Sequence, residues 1–338
     1  MRKTFLALLL AANVTPAIAQ DKTFDLKISH WVPASHSLQK ALEDWAAAVE
    51  KDSGGTIKSK VFPAQQLGKA FDHYDMARDG IADVTYINPG YQPGRFPIIA
   101  AGELPFLMSD AKGGSMALDE WYRKYAAKEM KDVKFCLGFV HSPSSFHSRA
   151  KKIVVPDDVK GMKIRPAHAT MANFVTLLGG TNVQSSAPEV RDIIERGVAD
   201  AVTFPWGSLL LFGIDKVTKY DMEAPLYTTT FAFVINKDKY DQMSDKQKKA
   251  IDSNCNTETA GKVGELWGKM EDAGIDKIKA ESGHEVYKLT PEQIGLWKKA
   301  SEPLTKTWDE GVKKNGGDPD ATMAELRAAL KKYNALAE

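Results

Sequence analysis

The strongest constraint in the sequence is an alternation of strand and helix patterns that occurs twice. In the first unit, an alternating apolar pattern predicts a half-buried strand at residues 24–29, and a helix follows from Ser37. Two more strands are predicted at residues 57–62 and 84–87, with a helix at residues 71–78 between them. This order is typical of a parallel sheet covered by helices.

A second unit of the same kind follows with a different sequence. Strands are predicted at residues 133–140, 163–165 and 201–204, and helices at residues 170–178 and 186–197. The last third of the chain is mostly helical in pattern. Because the chain exceeds the length at which a single core usually divides, the two units predict two α/β lobes.

Two α/β units predict a ligand cleft between them. In open α/β sheets, ligands bind beyond the carboxyl ends of the strands. In this chain those ends are Ser29-His30-Trp31, Asn88 to Tyr91, Ser142 to His147, Arg165, and Phe204 to Trp206. The sequence therefore predicts a binding site built from these segments.

The N-terminus has the pattern of a secretory signal peptide at residues 1–19. Arg2 and Lys3 precede an apolar run, and residues 17–19 (Ala-Ile-Ala) form a small-residue cleavage signal. The apolar run is shorter than the roughly 20 residues that cross a bilayer. We therefore expect a protein exported to the periplasm, with Gln20 as its first mature residue and no membrane-spanning segment.

The charge balance argues against two classes of partner. The chain has 45 Lys and Arg residues against 44 Asp and Glu residues. A near-neutral chain offers no electrostatic attraction for nucleic acid or for anionic lipid. The sequence therefore predicts no nucleic-acid partner.

The cysteine content bears on covalent cross-links. Two cysteines are present, Cys136 and Cys255. In an oxidising compartment, an even number of cysteines favours a disulfide. We therefore predict a bridge between Cys136 and Cys255, and two separately buried thiols are the alternative.

The sequence lacks the motifs of common catalytic and metal sites. It contains no G-x-S-x-G, H-E-x-x-H or C-x-x-C motif and no phosphate-binding glycine loop. No histidine is paired with carboxylates at metal-ligand spacing, and His147 is the histidine that we expect nearest to a ligand. We therefore predict a binding protein without metal or cofactor, and an exported hydrolase or isomerase is the alternative class.

Four short segments occur in a characteristic order along the chain. They are Val61 to Gly68 (VFPAQQLG), Glu103 to Leu107 (ELPFL), Asp158 to Pro166 (DVKGMKIRP) and Glu195 to Ala201 (ERGVADA). In this order, behind a signal peptide, they resemble the solute-binding subunits of tripartite ATP-independent periplasmic (TRAP) transporters, in the dicarboxylate-binding-protein branch. The resemblance covers essentially the whole mature chain and implies a two-lobed, class II-like periplasmic binding protein with its cleft between the lobes.

The resemblance also implies how the chain divides between the lobes. Lobe I comprises residues 20–142 and 231–270, and lobe II comprises residues 143–230 and 271–338. The chain is expected to cross between the lobes near residues 142–144 and 228–232. Phe231 to Ile235 would then rejoin the first sheet, with the C-terminal helices spanning both lobes.

Arg165 falls where the family places the arginine that binds the ligand carboxylate. A guanidinium presents a planar fork that pairs with both carboxylate oxygens, and it stays charged at any relevant pH. The resemblance therefore implies that Arg165 binds a small organic acid, which is passed to the transporter's membrane permease and taken up on an ion gradient. An arginine held in a salt bridge at the strand end is the alternative.

The other matched positions indicate an aromatic cleft. They are Trp31, Asn88, Tyr91, Ser145 and Phe204, with Trp206 close by. Trp31, Tyr91 and Phe204 stand where family members that bind sugar acids often have polar or charged residues. An apolar wall contributes about 25 cal/mol per Å² of buried ligand surface and penalises hydroxyl groups that lack partners.

We therefore favour a monocarboxylate with an aromatic or bulky apolar body over a sugar acid or a C4-dicarboxylate. Two alternatives within transport stay open. One is a small aliphatic 2-oxo or 2-hydroxy acid, for which the aromatic residues only narrow the pocket. The other is a binding protein of an ATP-driven importer. For Trp206, a place in the hydrophobic core is the alternative to a place in the cleft.

Overall fold

The computed structural model describes residues 21–337 of the chain. The predicted signal peptide, residues 1–19, lies outside the described residues. None of the described helices is both long enough and apolar enough to cross a membrane.

The described residues form two β-sheets and a set of surrounding helices. The strands are β1 (Phe24–Ser29), β2 (Ile57–Phe62), β3 (Val84–Ile87), β4 (Val133–Val140), β5 (Ser145–Ser148), β6 (Lys163–Arg165), β7 (Thr181–Asn182), β8 (Ala201–Phe204), β9 (Tyr220–Glu223), β10 (Thr230–Asn236) and β11 (Glu285–Lys288). The α-helices are α1 (Ser37–Asp52), α2 (His73–Arg78), α3 (Ala111–Glu129), α4 (Ala169–Leu177), α5 (Val190–Glu195), α6 (Trp206–Leu211), α7 (Lys237–Asp241), α8 (Asp245–Asn254), α9 (Thr257–Ala280), α10 (Pro291–Lys314) and α11 (Pro319–Lys332).

The first sheet has the strand order β2-β1-β3-β10-β4. Strand β1 runs parallel to β2 and β3, whereas β10 is antiparallel to both of its neighbours, β3 and β4. Helix α1 buries Leu38, Leu42, Trp45 and Val49, the helical spacing that the sequence pattern predicted. One apolar stripe of α1 therefore faces the interior.

The second sheet has the strand order β11-β9-β5-β8-β6-β7. Strand β6 is parallel to β7 and β8, whereas β5 is antiparallel to β8 and β9. Strands β6 and β8 therefore end at the same edge of the sheet, and β5 ends at the opposite edge.

The chain passes from the first sheet to the second after β4 and returns before β10. Strand β10 lies between β3 and β4, which confirms the prediction that residues 231–235 rejoin the first sheet. Strand β11 then joins the edge of the second sheet beside β9. The predicted α/β architecture with two sheets is confirmed, and the exact residue limits of the two lobes stay a prediction.

The C-terminal helices pack on both parts of the molecule. Helix α9 contacts α1 and α3 beside the first sheet and α6 beside the second. Helix α9 can approach α6 closely because Gly274 has no Cβ atom. A Cβ atom at this position would collide with the backbone of Gly207. Helix α10 packs on α4, and α11 packs on α3, although the predicted limits place residues 271–338 with the second lobe.

Cys136 and Cys255 form a disulfide, which confirms the sequence prediction. Their Cα atoms are 4.7 Å apart, and the bridge spans a sequence separation of 119 residues. Cys136 lies on β4, and Cys255 caps the C-terminal end of α8. The bridge therefore joins the first sheet to the junction between α8 and α9.

Candidate ligand-binding site

A cavity lies between the two sheets, where the carboxyl ends of β1, β3, β4, β6 and β8 meet the start of β10. Five of the residues predicted from the sequence line it, namely Trp31, Asn88, Tyr91, Arg165 and Phe204. The strand ends of both sheets therefore converge on one enclosed site.

Arg165 is the last residue of β6, and its side chain is almost completely buried, with 1% exposed. Its Nε donates to the Ser185 carbonyl oxygen at 3.0 Å, and its Nη2 donates to the Tyr91 hydroxyl at 3.1 Å. No carboxylate among residues 21–337 forms an ion pair with this guanidinium. The protein thus buries a positive charge beside the cavity and supplies neutral acceptors only.

Tyr91 links the two sides of the cavity. It lies in a short 3₁₀ turn, Pro89–Tyr91, directly after β3. Its hydroxyl oxygen accepts from Arg165 Nη2 and also from the backbone N–H of Ala187 at 3.0 Å. Both lone pairs of the phenol oxygen are then used, and the phenol proton has no acceptor among the described residues.

Asn88 holds the same turn and reaches across the cleft. Its Oδ1 accepts from the Gly90 N–H at 2.9 Å, and its Nδ2 donates to the Ala167 carbonyl oxygen at 3.3 Å. Glu103 makes a second link, because its carboxylate accepts from the Thr170 hydroxyl at 2.9 Å and lies 3.0 Å from His168 Nδ1. The walls of the cleft are therefore in hydrogen-bonded contact with each other.

The remaining wall of the cavity is largely aromatic. The Trp31 ring stacks on Tyr86 with 4.8 Å between centroids, and Phe231 lies 4.7 Å from Trp267. On the opposite side, the Phe204 ring centroid is 5.7 Å from the Arg165 guanidinium carbon. A flat apolar surface thus borders the single buried cation of the cavity wall.

Two histidines also line the cavity, and both are neutral. Burial lowers the pKa of His36 to about 3, and it lowers the pKa of His141 to about 3 as well. His141 Nδ1 donates to the Ser142 carbonyl oxygen at 2.6 Å, so its Nε2 accepts from the Thr229 hydroxyl at 3.0 Å. Neither ring adds a positive charge to the site.

Glu271 lies behind the cavity wall and accepts hydrogen bonds from the donors of Ser208 and Trp267. Its carboxylate accepts from the Ser208 N–H at 2.9 Å and from the Ser208 hydroxyl, and it also accepts from Trp267 Nε1. Burial raises the pKa of Glu271 to about 7, although these hydrogen bonds act to lower it. The indole N–H of Trp267 is therefore committed inside the protein.

Three predicted site residues do not line the cavity: Ser145, His147 and Trp206. Ser145 begins β5 opposite Phe204, at the edge of the sheet where β8 ends, and His147 lies two residues further into the sheet, opposite Val202. Trp206 packs edge-to-face on His147, with 4.7 Å between ring centroids. It borders a separate surface cavity near Pro143 and Ala224.

His147 has an internal partner for each ring nitrogen. Its Nδ1 lies 2.7 Å from Asp221 Oδ1, and its Nε2 lies 3.0 Å from the Phe204 carbonyl oxygen. Burial would raise the pKa of Asp221, but hydrogen bonds from His147 and His284 lower it below its ordinary value. His147 therefore serves the second sheet as a structural side chain.

Several cavity residues were not singled out from the sequence. They are His36, His141, Thr229, Phe231 and Trp267. Trp267 lies on α9, and no local pattern separates it from an ordinary buried helix residue. Among residues 21–337, no group of three or more His, Cys, Asp or Glu side chains is placed to hold a metal ion.

Comparison with protein families gives one match that covers most of the chain. Residues 28–311 match the family described as bacterial extracellular solute-binding protein, family 7 (DctP).

Three solved structures are similar to the chain over nearly its whole length. The TRAP solute-binding protein from Rhodoferax ferrireducens T118, in complex with copurified benzoate, has 29% identity and a TM-score of 0.87, with 92% of this chain and 99% of that chain covered. A marine metagenome TRAP protein specific for aromatic acid ligands, in complex with 3-hydroxybenzoate, has 32% identity and a TM-score of 0.86, with 93% and 99% covered. The Bordetella bronchiseptica TRAP protein with bound (R)- and (S)-mandelate has 28% identity and a TM-score of 0.85, with 91% and 99% covered.

Proposed function

The chain belongs to the bacterial extracellular solute-binding proteins of family 7, and on this premise we propose that it binds an aromatic monocarboxylate in the cavity beside Arg165. The observation that carries the proposal is the Arg165 guanidinium, which is 1% exposed and has no acidic partner among the described residues. An arginine does not lose its charge in a protein. A ligand carboxylate would supply the missing negative charge.

The geometry around Arg165 suits a carboxylate. Its Nε is used by Ser185, and one hydrogen of Nη2 is used by Tyr91, so Nη1 and the second hydrogen of Nη2 remain for a ligand. These two donors form the end of the guanidinium fork, which matches the spacing of two carboxylate oxygens. The phenol proton of Tyr91 is a third donor beside the same fork.

The rest of the cavity favours an aromatic body on the acid. Trp31, Phe204, Phe231 and Trp267 supply apolar ring surface to the cavity. The neutral His36 and His141 offer no second cation for a dicarboxylate. The similar proteins that bind benzoate, 3-hydroxybenzoate and mandelate support the same ligand class.

We propose a transport role for this binding event. The signal-peptide pattern at residues 1–19 supports a periplasmic location, and the family supports delivery of the ligand to TRAP membrane permease subunits. A catalytic role has less support. His147 Nδ1 is paired with Asp221 and its Nε2 with the Phe204 carbonyl oxygen, so within residues 21–337 neither ring nitrogen is bonded to a Ser, Thr or Cys side chain.

A calorimetric titration of the mature protein tests this proposal. Benzoate, phenylacetate and mandelate are the aromatic probes, and pyruvate, lactate and succinate are the aliphatic ones. We expect at least one aromatic acid to bind more tightly than every aliphatic acid. At a hundredfold excess over Kd, that acid should add about 2.7 kcal/mol to the free energy of unfolding and so raise the melting temperature. Tighter binding of pyruvate or lactate would replace the aromatic assignment with the aliphatic one. Chemical conversion of a bound acid would contradict the transport role.

A further inference from the structure

Trp31 carries a hydrogen-bond donor that the protein leaves unused. The residue lines the cavity and is 4% exposed, and its indole Nε1 has no hydrogen-bond partner among the described residues. The indole ring is held in place by stacking on Tyr86, with 4.8 Å between centroids, and by a tilted contact with Tyr91. A fixed donor without an acceptor in a closed, apolar surrounding is uncommon in a folded protein.

The other polar side chains of the cavity wall have partners. Trp267 Nε1 donates to Glu271, and Asn88 bonds to Gly90 and Ala167. His36 and His141 are bonded through both ring nitrogens. Within residues 21–337, Trp31 Nε1 is the one fully buried polar side-chain atom that lacks a partner and belongs to a residue of the cavity wall.

We infer that Trp31 Nε1 donates a hydrogen bond to an oxygen of the ligand other than its carboxylate oxygens. This inference rests on the proposed function, because it takes the carboxylate to be bound by Arg165. The free end of the guanidinium fork supplies one donor for each carboxylate oxygen. Trp31 therefore favours those aromatic acids that carry a second polar group able to accept its hydrogen bond.

The chemistry of that second group follows from what the cavity offers. Three donors on residues of the cavity wall have no protein acceptor: the free end of the Arg165 fork, the Tyr91 phenol proton and the Trp31 indole N–H. A carbonyl, ether or hydroxyl oxygen accepts from an indole N–H, whereas an ammonium group only donates. The ligand class is thus an aromatic monocarboxylate that carries an additional oxygen acceptor on the ring or the α-carbon.

Substitution Trp31→Phe tests the inference with matched pairs of acids. Phenylacetate is compared with phenylglyoxylate and mandelate, and benzoate is compared with 3-hydroxybenzoate and 3-methoxybenzoate. Phenylalanine keeps a ring on Tyr86 but has no N–H. We expect at least one oxygen-bearing acid to lose about five- to tenfold in affinity relative to its parent acid, the size of one neutral hydrogen bond. The parent measures any general loss of packing.

Trp45→Phe is the control variant. Trp45 is also a buried tryptophan with an unpartnered Nε1, with 3% exposed, but it lies on α1 outside the cavity wall. Trp45→Phe should leave every affinity ratio unchanged. Thermal melts of both variants show whether they fold.

Two results separate the possible failures. If the wild-type protein binds the parent acids but Trp31→Phe leaves all ratios of substituted to parent acid unchanged, the inference is wrong and the proposed function stands. The same holds if parent and substituted acids lose affinity equally, because the acceptor is then the carboxylate or the effect is packing. If the wild-type protein binds none of these acids, the proposed function fails as well.

Discussion

The buried basic side chains differ between the two parts of the molecule. Beside the first sheet, His36, His73 and His141 have no carboxylate partner, and burial is the largest cause that lowers their pKa values, to about 3, 4 and 3. These rings avoid the cost of a buried charge by staying neutral. The first sheet therefore contributes uncharged walls to the cavity.

The second sheet buries basic groups in a different way. His147 lies against Asp221, so a carboxylate faces that ring inside the protein. Arg165 has no such partner, and a guanidinium has no neutral form to adopt. A buried histidine without an acidic partner becomes neutral and adds no charge to the site. A buried arginine without an acidic partner stays charged, and a ligand carboxylate can balance that charge.

Arg165→Ala is expected to have the largest effect, because it removes the buried charge that distinguishes the second sheet from the first. We expect the affinity for the bound aromatic acid to fall several thousandfold, or about 5 kcal/mol, because the ligand carboxylate is left in the cavity without its partner. Stability of the unliganded protein should not fall, since the substitution removes an unpaired buried charge. Isothermal titration and urea unfolding measure the two quantities.

Arg165→Lys is the matched control for that experiment. An ammonium keeps the charge but loses the planar fork, so it should recover only part of the lost affinity. Wild-type affinity in Arg165→Ala would show that the carboxylate binds elsewhere. Full recovery in Arg165→Lys would show that the charge alone matters.

Asp221→Asn should affect the stability of the protein rather than its affinity for the ligand, which is the opposite of the result expected for Arg165→Ala. The amide removes the negative charge between His147 and His284 without changing the size of the side chain. We expect the free energy of unfolding to fall by about 4 kcal/mol, as for other buried ion pairs that lose one partner. Urea unfolding at neutral pH measures it. An unchanged stability would contradict the role of Asp221 as the buried partner of the two histidines.

The pH dependence of the free energy of unfolding tests whether the buried histidines are neutral in the folded protein. His73 has a pKa of about 4 in the folded protein and an ordinary value of 6.5, so the unfolded chain binds its proton first as the pH falls. The free energy of unfolding therefore decreases between pH 6.5 and 4, by about 3 kcal/mol from this residue. Glu271, with its raised pKa of about 7, acts in the opposite direction and favours the folded state as the pH falls.

His73→Gln isolates this contribution. His73 accepts from the Ser29 hydroxyl at 3.1 Å and lies outside the cavity wall, so the variant leaves the binding site intact. Between pH 7 and pH 4, the wild-type protein should lose about 3 kcal/mol more stability than the variant. Parallel curves for the two proteins would contradict the assignment of a neutral His73.

The sequence predicted the sheets well because burial leaves a local pattern. Strands β1, β3, β8 and β10 are apolar over consecutive or alternating positions, and each was expected near its observed place. The short strands β9 and β11, at one side of the second sheet, were not expected, because Tyr220–Glu223 and Glu285–Lys288 include polar side chains common in loops. Pairing with a neighbour, which no local pattern reveals, makes them strands.

The site could be predicted only where strand ends converge in parallel. Arg165 and Phe204 end parallel strands of one sheet and reach the cavity together. His147 was also expected near a ligand, but it lies inside the second sheet, where Asp221 and the Phe204 carbonyl oxygen bond to its ring nitrogens. Trp267 comes from a helix far along the chain, and only the tertiary fold brings it to Phe231.

Phe204→Asn gives the smallest of these effects and examines the apolar side of the cavity. The Phe204 ring is 3% exposed, lies 5.7 Å from the Arg165 guanidinium carbon and packs on Phe212. Asparagine removes most of the apolar surface that an aromatic ligand would cover. We expect an aromatic acid to lose about 2 kcal/mol of binding free energy, while pyruvate loses little. The backbone carbonyl that His147 contacts is unchanged by the substitution.

Phe204→Leu separates the apolar surface from the ring itself. Leucine keeps apolar volume beside Arg165 but removes the cation–π contact, so it should cost the aromatic acid less than asparagine does. Titrations of both variants with one aromatic acid and with pyruvate decide the point. If Phe204→Asn leaves the aromatic acid unaffected, the aromatic residues only narrow the pocket, and a small aliphatic acid becomes the better ligand. If both acids weaken equally, Phe204 acts by holding Arg165 in place, and Phe204→Leu should then restore both affinities together.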